Sequence, residues 1–173
     1  MLNAVQLIKQ DHRKVANLFD KFHKTKGQEA RQQIAEQAME ELEVHALVEE
    51  DIFYPAVRKQ LSDEVLIDEA LKEHKAVKDL IEELKGMETD DEEFSERWSE
   101  LVESVQQHVA EEESELLPQA EESQLDLVEC GAHMMERKEK AIDELGASFM
   151  THTKSQPTAK SKKSSKHADS GHP

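Results

Sequence analysis

His45 and Glu49 lie four residues apart in the string HALVEEDIFYP, and His108 and Glu112 repeat that spacing in HVAEEESELLP. Residues four apart on an α-helix share one face, about 40° from each other, so each pair is a preformed claw of one imidazole and one carboxylate. Imidazole nitrogen and carboxylate oxygen suit first-row metals such as iron, manganese or zinc. Two such claws on two helices are what a binuclear metal site requires.

The repeat extends further back. KQDHRKVANL around His12 resembles LKEHKAVKDL around His74, each with an acid before the His and a base after it. His12 precedes His45 by 33 residues, and His74 precedes His108 by 34. The N-terminal 123 residues therefore read as two helical hairpins of one design, a duplication and not a solenoid.

These residues need helices to carry them, and the apolar pattern supplies four. Val5, Ile8, Val15, Phe19 and Phe22 follow helical spacing, with His12 filling the missing place. Ile34, Ala38 and Leu42 lead to His45 and Glu49 and then to Ile52 and Ala56. Ile67, Ala70, Val77, Ile81 and Leu84 enclose His74, while Phe94, Trp98, Leu101, Val105 and Leu116 enclose His108 and Glu112. Six polar groups thus stand where apolar ones belong. Breaks near Gly27, Ser62-Asp63 and Gly86 to Asp91 are short, so successive helices must be antiparallel neighbours. Ser62 and Thr89 or Asp90 are the expected caps. At ~1.5 Å per residue, all four helices then present their polar groups near one mid-bundle level.

Pro55 and Pro118 occupy equivalent places past each Glu and are expected to bend their helices. A fifth helix is predicted with Leu125, Val128, Ala132, Met135, Ile142, Leu145 and Phe149 as its buried side. Residues 151–173, rich in Lys and Ser and without periodicity, read as a disordered basic tail. The predicted architecture is all-α: an up-down-up-down four-helix bundle over residues 1–150, with a fifth C-terminal helix.

Composition agrees. The 173 residues are 36% hydrophobic and only 4% aromatic, with few glycines, which favours helix over strand. Of 22 basic and 39 acidic residues, five and one lie in the tail, leaving 17 and 38 in the rest. Such an acidic surface disfavours nucleic acid and anionic membrane as partners. The single cysteine, Cys130, excludes an internal disulfide and reads as a small buried hydrophobe. No apolar run could span a bilayer and no leader pattern is present, so a cytoplasmic location and a monomer are the expectation.

A lone stripe His is more often a satisfied core residue than a ligand, and one His–Glu pair is often only a helix contact. Six at one level in a repeat are a different matter. Burying two Glu charges would cost several kcal/mol each unless a cation neutralised them. Two bridging carboxylates and two His per metal leave each ion short of six ligands, so open positions would remain for a small molecule. Glu-x-x-His, as in ferritin-like di-iron proteins, and His-Glu-x-x-His, as in zinc proteases, are both absent.

At these residues the chain resembles the hemerythrin-like, or HHE, cation-binding family, whose mark is His, His-xxx-Glu, His, His-xxx-Glu with an extra Glu and a hydrophobic-Pro pair. The resemblance implies a bundle holding two iron ions, oxo- or hydroxo-bridged, on His12, His45, Glu49, His74, His108 and Glu112. It also implies dioxygen, peroxide or nitric oxide as the small ligand. Oxygen-carrying members have a fifth His and another ligand in place of one motif Glu, whereas Glu112 is kept here. That departure points toward sensing or reducing an oxidant, with catalase- or peroxidase-like turnover among the outcomes. A non-catalytic iron-binding module, whose occupancy controls stability or a partner, is the alternative, and a metal-free interaction bundle a third.

Other residues are given lesser roles. His23 lies too far along the axis to join the site, and His133 could approach the bundle mouth. Tyr54 could hydrogen-bond to the site or ligate a metal, although simple packing is the plainer expectation. Glu50 and Glu113 are expected in solvent or around the ligands, and Met134 and Met135 in the core.

Overall fold

Asn3 opens the first helix with a reciprocal cap: its side chain accepts from the Gln6 backbone, and Gln6 accepts from the Asn3 backbone. In the computed structural model the described residues run to Thr153, with side chains to Gly146. Phe149 as a buried side chain and the tail beyond Thr153 lie outside them. The elements are α1 (Ala4–Lys24), α2 (Gln28–Val48), α3 (Tyr54–Arg58), α4 (Val65–Lys85), α5 (Glu92–Glu111), α6 (Leu117–Glu122) and α7 (Leu127–Thr153). A π-helical turn, Glu49–Phe53, joins α2 to α3, and a second, Glu112–Leu116, joins α5 to α6. The expected all-α bundle with an added C-terminal helix is the observed fold.

The prolines act through those turns. An α-helical Pro55 would press its ring on the carbonyl one turn back. The chain instead widens, and the Tyr54 N–H bonds to the Glu49 carbonyl five residues earlier; Leu117 and Glu112 repeat this. One extra residue per turn rotates the following helix by about 100°. The expected stripe through Ile52 and Ala56 is therefore displaced, and Phe53, Tyr54 and Val57 are buried in its place.

Two other expectations shift. Helix α4 starts after Glu64, with Asp63 accepting from the Val65 backbone, and α5 starts after Asp91; neither Ser62 nor Thr89 caps. Thr89 is buried and bonds to the α2 N-terminus through Gln28 and Gln32. On α7 the buried side is Cys130, Met134 and Ala141, whereas Val128, Met135 and Ile142 are about half exposed. Gly131 sets that face: a Cβ there would lie 3.0 Å from the backbone of Leu2, Asn3 and Ala4. Arg137 to Asp51 and Lys138 to Asp11 then hold the register.

The apolar core falls into two clusters, one on each side of a polar layer. Ala4, Val5, Ile8, Phe53, Val57, Ile67 and Leu117 belong to one; Val15, Phe19, Phe22, Ile34, Leu42, Ile81, Trp98 and Leu101 belong to the other. Burying each large side chain contributes ~1.5–3 kcal/mol. Between the clusters lie the six sequence-marked residues. No described helix is long and apolar enough to cross a membrane.

Candidate metal centre

Each long helix delivers its polar group to the layer between the clusters. Helix α1 brings His12, α2 with its π turn brings His45 and Glu49, α4 brings His74, and α5 with its π turn brings His108 and Glu112. All six are buried, with Glu49 at 0% and Glu112 at 2% exposure. They form two overlapping groups, His12, His45, Glu49, Glu112 and Glu49, His74, His108, Glu112; within each, the donor atoms lie within 4.8 Å of one another. Two clusters of four donors, sharing both carboxylates, can each hold a metal ion.

The carboxylates span the two groups. Glu112 turns Oε1 toward His12 Nε2 at 3.3 Å and Oε2 toward His108 Nε2 at 3.4 Å. Glu49 Oε1 touches His45 Nε2 and stands 3.8 Å from His74 Nε2. His74 and His108 bring their Nε2 atoms to 3.1 Å. Inward atoms without a hydrogen-bond partner include His12 Nε2, His45 Nε2, both Glu49 oxygens and Glu112 Oε1. Buried polar atoms are normally paired. Orphans that converge from three of the four long helices fit cations, and the N/O donor set fits iron.

A ring of acids stands behind the imidazoles. Asp11 lies 3.1 Å from His45 Nδ1, Glu73 3.4 Å from His108 Nδ1, Glu50 3.5 Å from His74 Nδ1, and Glu113 3.9 Å from His12 Nδ1. Asp11 and Glu73 hydrogen-bond Nδ1 of His45 and His108 and so aim the opposite ring nitrogen, Nε2, inward. Glu50 and Glu113 stand farther from Nδ1 of His74 and His12. Glu50 and Glu113 thus take the surrounding role that their sequence position allowed. Asp11 and Glu73 were missed as site residues, although both occupy the acid-before-His position of the repeat. Each serves the His of the neighbouring helix, not the one beside it in sequence.

Electrostatics follow from burial and these acids together. Burial pulls His45 down, but Glu49, Asp11 and Glu112 outweigh it and hold the imidazole well above its ordinary range. For His108 the same opposition, burial against chiefly Glu112, ends at about 9. Burial pushes Glu112 up, yet His108 and His12 bring it well below the usual carboxylate range. The centre favours positive charge.

Tyr54 is part of the site. Its hydroxyl donates to Glu112 Oε2 at 2.5 Å and lies 3.1 Å from His74 Nε2. Burial and then the charges of Glu49 and Glu112 push its phenol well above its usual range, so it keeps its proton. The π turn aims it there, which plain helical periodicity could not show. Above the imidazoles, a cavity of 30 Å³ is bounded by all four His and by Val15, Leu42, Val77 and Val105. That is room for a molecule of a few atoms.

The remaining candidates lie elsewhere. His133 is exposed on α7, His23 is exposed near the end of α1, and Met135 is exposed while Met134 is buried. Cys130 is buried, and burial pushes its thiol up to about 11.

Residues 3–120 match the family profile of the hemerythrin HHE cation binding domain. A DNA nickase of Nostoc sp. is 32% identical over 115 residues, covering 66% of this chain and 32% of the relative. A hemerythrin-like protein of Schizosaccharomyces pombe is 28% identical over 120 residues, covering 68% of this chain and 59% of the relative. The chain thus spans about a third to three-fifths of the length of these curated relatives. Among solved structures, a hemerythrin HHE cation binding domain-containing protein from Mycobacterium kansasii superposes with a TM-score of 0.75 at 26% identity. That likeness covers 90% of this chain and 96% of the other.

Proposed function

The chain belongs to the hemerythrin HHE cation-binding family, and on that premise we propose that residues 1–150 form one unit holding two iron ions to bind, sense or reduce a small oxidant. The ligands in this reading are His12, His45, Glu49, His74, His108 and Glu112. One observation carries it: two four-residue clusters share Glu49 and Glu112 and aim unpartnered buried atoms at each other. Iron held by these residues would supply electrons to dioxygen, peroxide or nitric oxide.

The chain's own residues do the rest. Asp11 and Glu73 fix the orientations of His45 and His108 through Nδ1, and Glu50 and Glu113 place negative charge beside His74 and His12. Glu49 and Glu112 supply the negative charge that two cations neutralise. Tyr54 holds a proton on its hydroxyl at the edge of the second cluster. Apolar Val15, Leu42, Val77 and Val105 keep the small cavity dry and limit it to a ligand of a few atoms. Among the described residues the two clusters together hold four imidazoles and no fifth, which favours sensing or reduction over simple oxygen carriage. The nickase activity named for the Nostoc relative is not carried over: a net charge of −17 opposes a polyanion.

A second reading has its own support. The polar layer divides the core into two apolar clusters, so metal occupancy would join the halves of the bundle and control its stability. In that case a partner would read the folded state.

Metal content per chain, after purification from iron-supplied cells, tests the proposal beside His45→Ala with His108→Ala. About two irons per chain, lost in the double variant, is the expected result. Loaded protein should change its absorption on exposure to dioxygen, peroxide or nitric oxide. Iron-dependent melting without any such change would favour the second reading, and metal-free protein in both samples would sink the proposal.

A further inference from the structure

The four long helices do not close evenly. Helices α1 and α2 pack together, as do α4 and α5, but α1 and α5 approach mainly through Phe19, Phe22, Phe94 and Trp98. Along this seam runs an open groove of 890 Å³, from His12 and Glu113 at one end to His23, Arg31 and Ser95 at the other. The stretch from His12 to His23 spans about 16 Å of helix axis. Small rim residues, including Ala16 and Ser99, leave it open, while Val15, Phe19, Trp98 and Val105 make an apolar floor.

Arg31 lies at the far end. The guanidinium stands 4.3 Å from the Phe22 ring centroid, and its Nε is shielded from solvent without a hydrogen-bond partner. Arg58, Arg97 and Arg137 each hold carboxylates. Among the described residues, none forms an ion pair with Arg31, in a chain where acids outnumber bases 39 to 22. Lys21, Lys24 and Lys26 surround the same turn, and Lys24 engages Asp20, an acid on the groove wall. The anion-seeking end and the apolar length belong to one groove.

We propose that the α1–α5 groove binds a long-chain monocarboxylate, with its headgroup on Arg31 and its alkyl chain on the Phe19–Trp98–Val105 floor, pointing toward His12. The guanidinium offers a carboxylate two parallel N–H donors, and the chain lies between the small rim residues over the edges of a largely buried apolar floor. Binding requires no metal, so this site stands or falls separately from the iron reading.

Trp98, the only tryptophan in the chain, reports on the groove directly. It lies 4.4 Å, centroid to centroid, from Phe22, the ring under Arg31. Palmitate added to the full-length protein should change Trp98 emission saturably, at one molecule per chain. Stearate brominated near the carboxylate should quench more than stearate brominated near the methyl end. Hexadecanol, with the chain but no charge, should bind about tenfold more weakly or worse, a difference of one charge-assisted contact. Arg31→Ala should weaken palmitate by a similar factor and leave hexadecanol unchanged, Arg31→Lys should retain most of the affinity, and Ser99→Phe should lose both ligands.

Absence of a saturable response would overturn the proposal, as would equal binding of palmitate by wild type and Arg31→Ala. A Trp98 shift that follows protein concentration without ligand would also overturn it, because the groove would then be a contact between copies. Metal content on the same samples should not change with Arg31→Ala. A failed groove with normal iron therefore remains distinct from a failed metal centre.

Discussion

The two halves of the site are built from one repeat and do not end alike. His12 and His45 answer to His74 and His108, Asp11 to Glu73, and Glu113 to Glu50, down to the carboxylate at each Nδ1. The π turns match as well. The residue that follows them does not: Tyr54 in one half stands where the other has Leu117. A phenol reaches Glu112 and His74 on one side, while a fully buried Leu117 packs into the core on the other. Access differs too. The large groove touches His12 and Glu113, whereas the cavity beside His108 and Glu73 holds 10 Å³, about one water at most. The duplicated frame presents two matched donor clusters, and its exceptions make them chemically unequal: one side is approached, the other carries a proton.

Removing what the halves share should have the largest effect. Glu49→Gln or Glu112→Gln takes a carboxylate from both clusters at once, so iron at both positions should fall together, by about a hundredfold in affinity or more. That exceeds the ~10–100-fold range for residues that only orient a ligand. The imidazoles already compensate both carboxylates in the empty bundle, His45 facing Glu49, and His12 and His108 facing Glu112. Removing one partner of a buried pair leaves the other charge unpaired, so each Gln variant should melt lower than wild type under chelation and fall further behind it when iron is supplied. Thermal melts with and without chelator check this, and loss of one ion alone would show that the carboxylates are not shared.

Smaller effects should separate the outer acids by half. Asp11→Asn leaves His45 without its anionic partner at Nδ1, and Glu73→Gln does the same for His108. Each should weaken iron in its own cluster by about tenfold to a hundredfold. Asp11 has the closer contact, at 3.1 Å against 3.4 Å, and also binds Lys138 of α7. The Asp11 variant should therefore lose more stability as well. Competition with a calibrated chelator reads the first effect, and melting of the empty protein reads the second.

Much of this was legible from spacing alone because a helix fixes angle and height together. Once His12, His45, His74 and His108 fell inside apolar stripes at matching distances from the turns, their meeting in one layer followed. Tyr54 was not legible in the same way. Its direction depends on a π turn that adds about 100° of rotation, and Pro55 suggested a bend, not a widened turn. Helix α7 failed for a different reason. Its residues offer two apolar stripes, and the choice between them rests on Gly131 meeting the start of α1 and on Asp11 and Asp51 across the interface. Those contacts are distant in sequence and carry no periodic signal. The Asp11 and Glu73 roles were hidden because each acid turns to the neighbouring helix.

The smallest expected change tests the asymmetry itself. Tyr54→Phe removes one oxygen and leaves every proposed ligand in place, so iron content should stay at wild-type level. Glu112 Oε2 would lose its 2.5 Å donor, which costs about 1–3 kcal/mol in the empty protein. With iron bound, the expected signs are a shifted absorption spectrum and a slower reaction with peroxide, since no proton stands beside the second cluster. The reciprocal change, Leu117→Tyr, places a phenol at the matching position of the first half, at an overpacking cost of about 1–3 kcal/mol. In the double variant Tyr54→Phe with Leu117→Tyr, the proton donor moves to the half that the groove reaches. If reactivity returns there, position relative to an iron is what matters. If it does not, the phenol must act on the side opposite the entrance, and the departure from symmetry at Tyr54 and Leu117 is a functional requirement of the site.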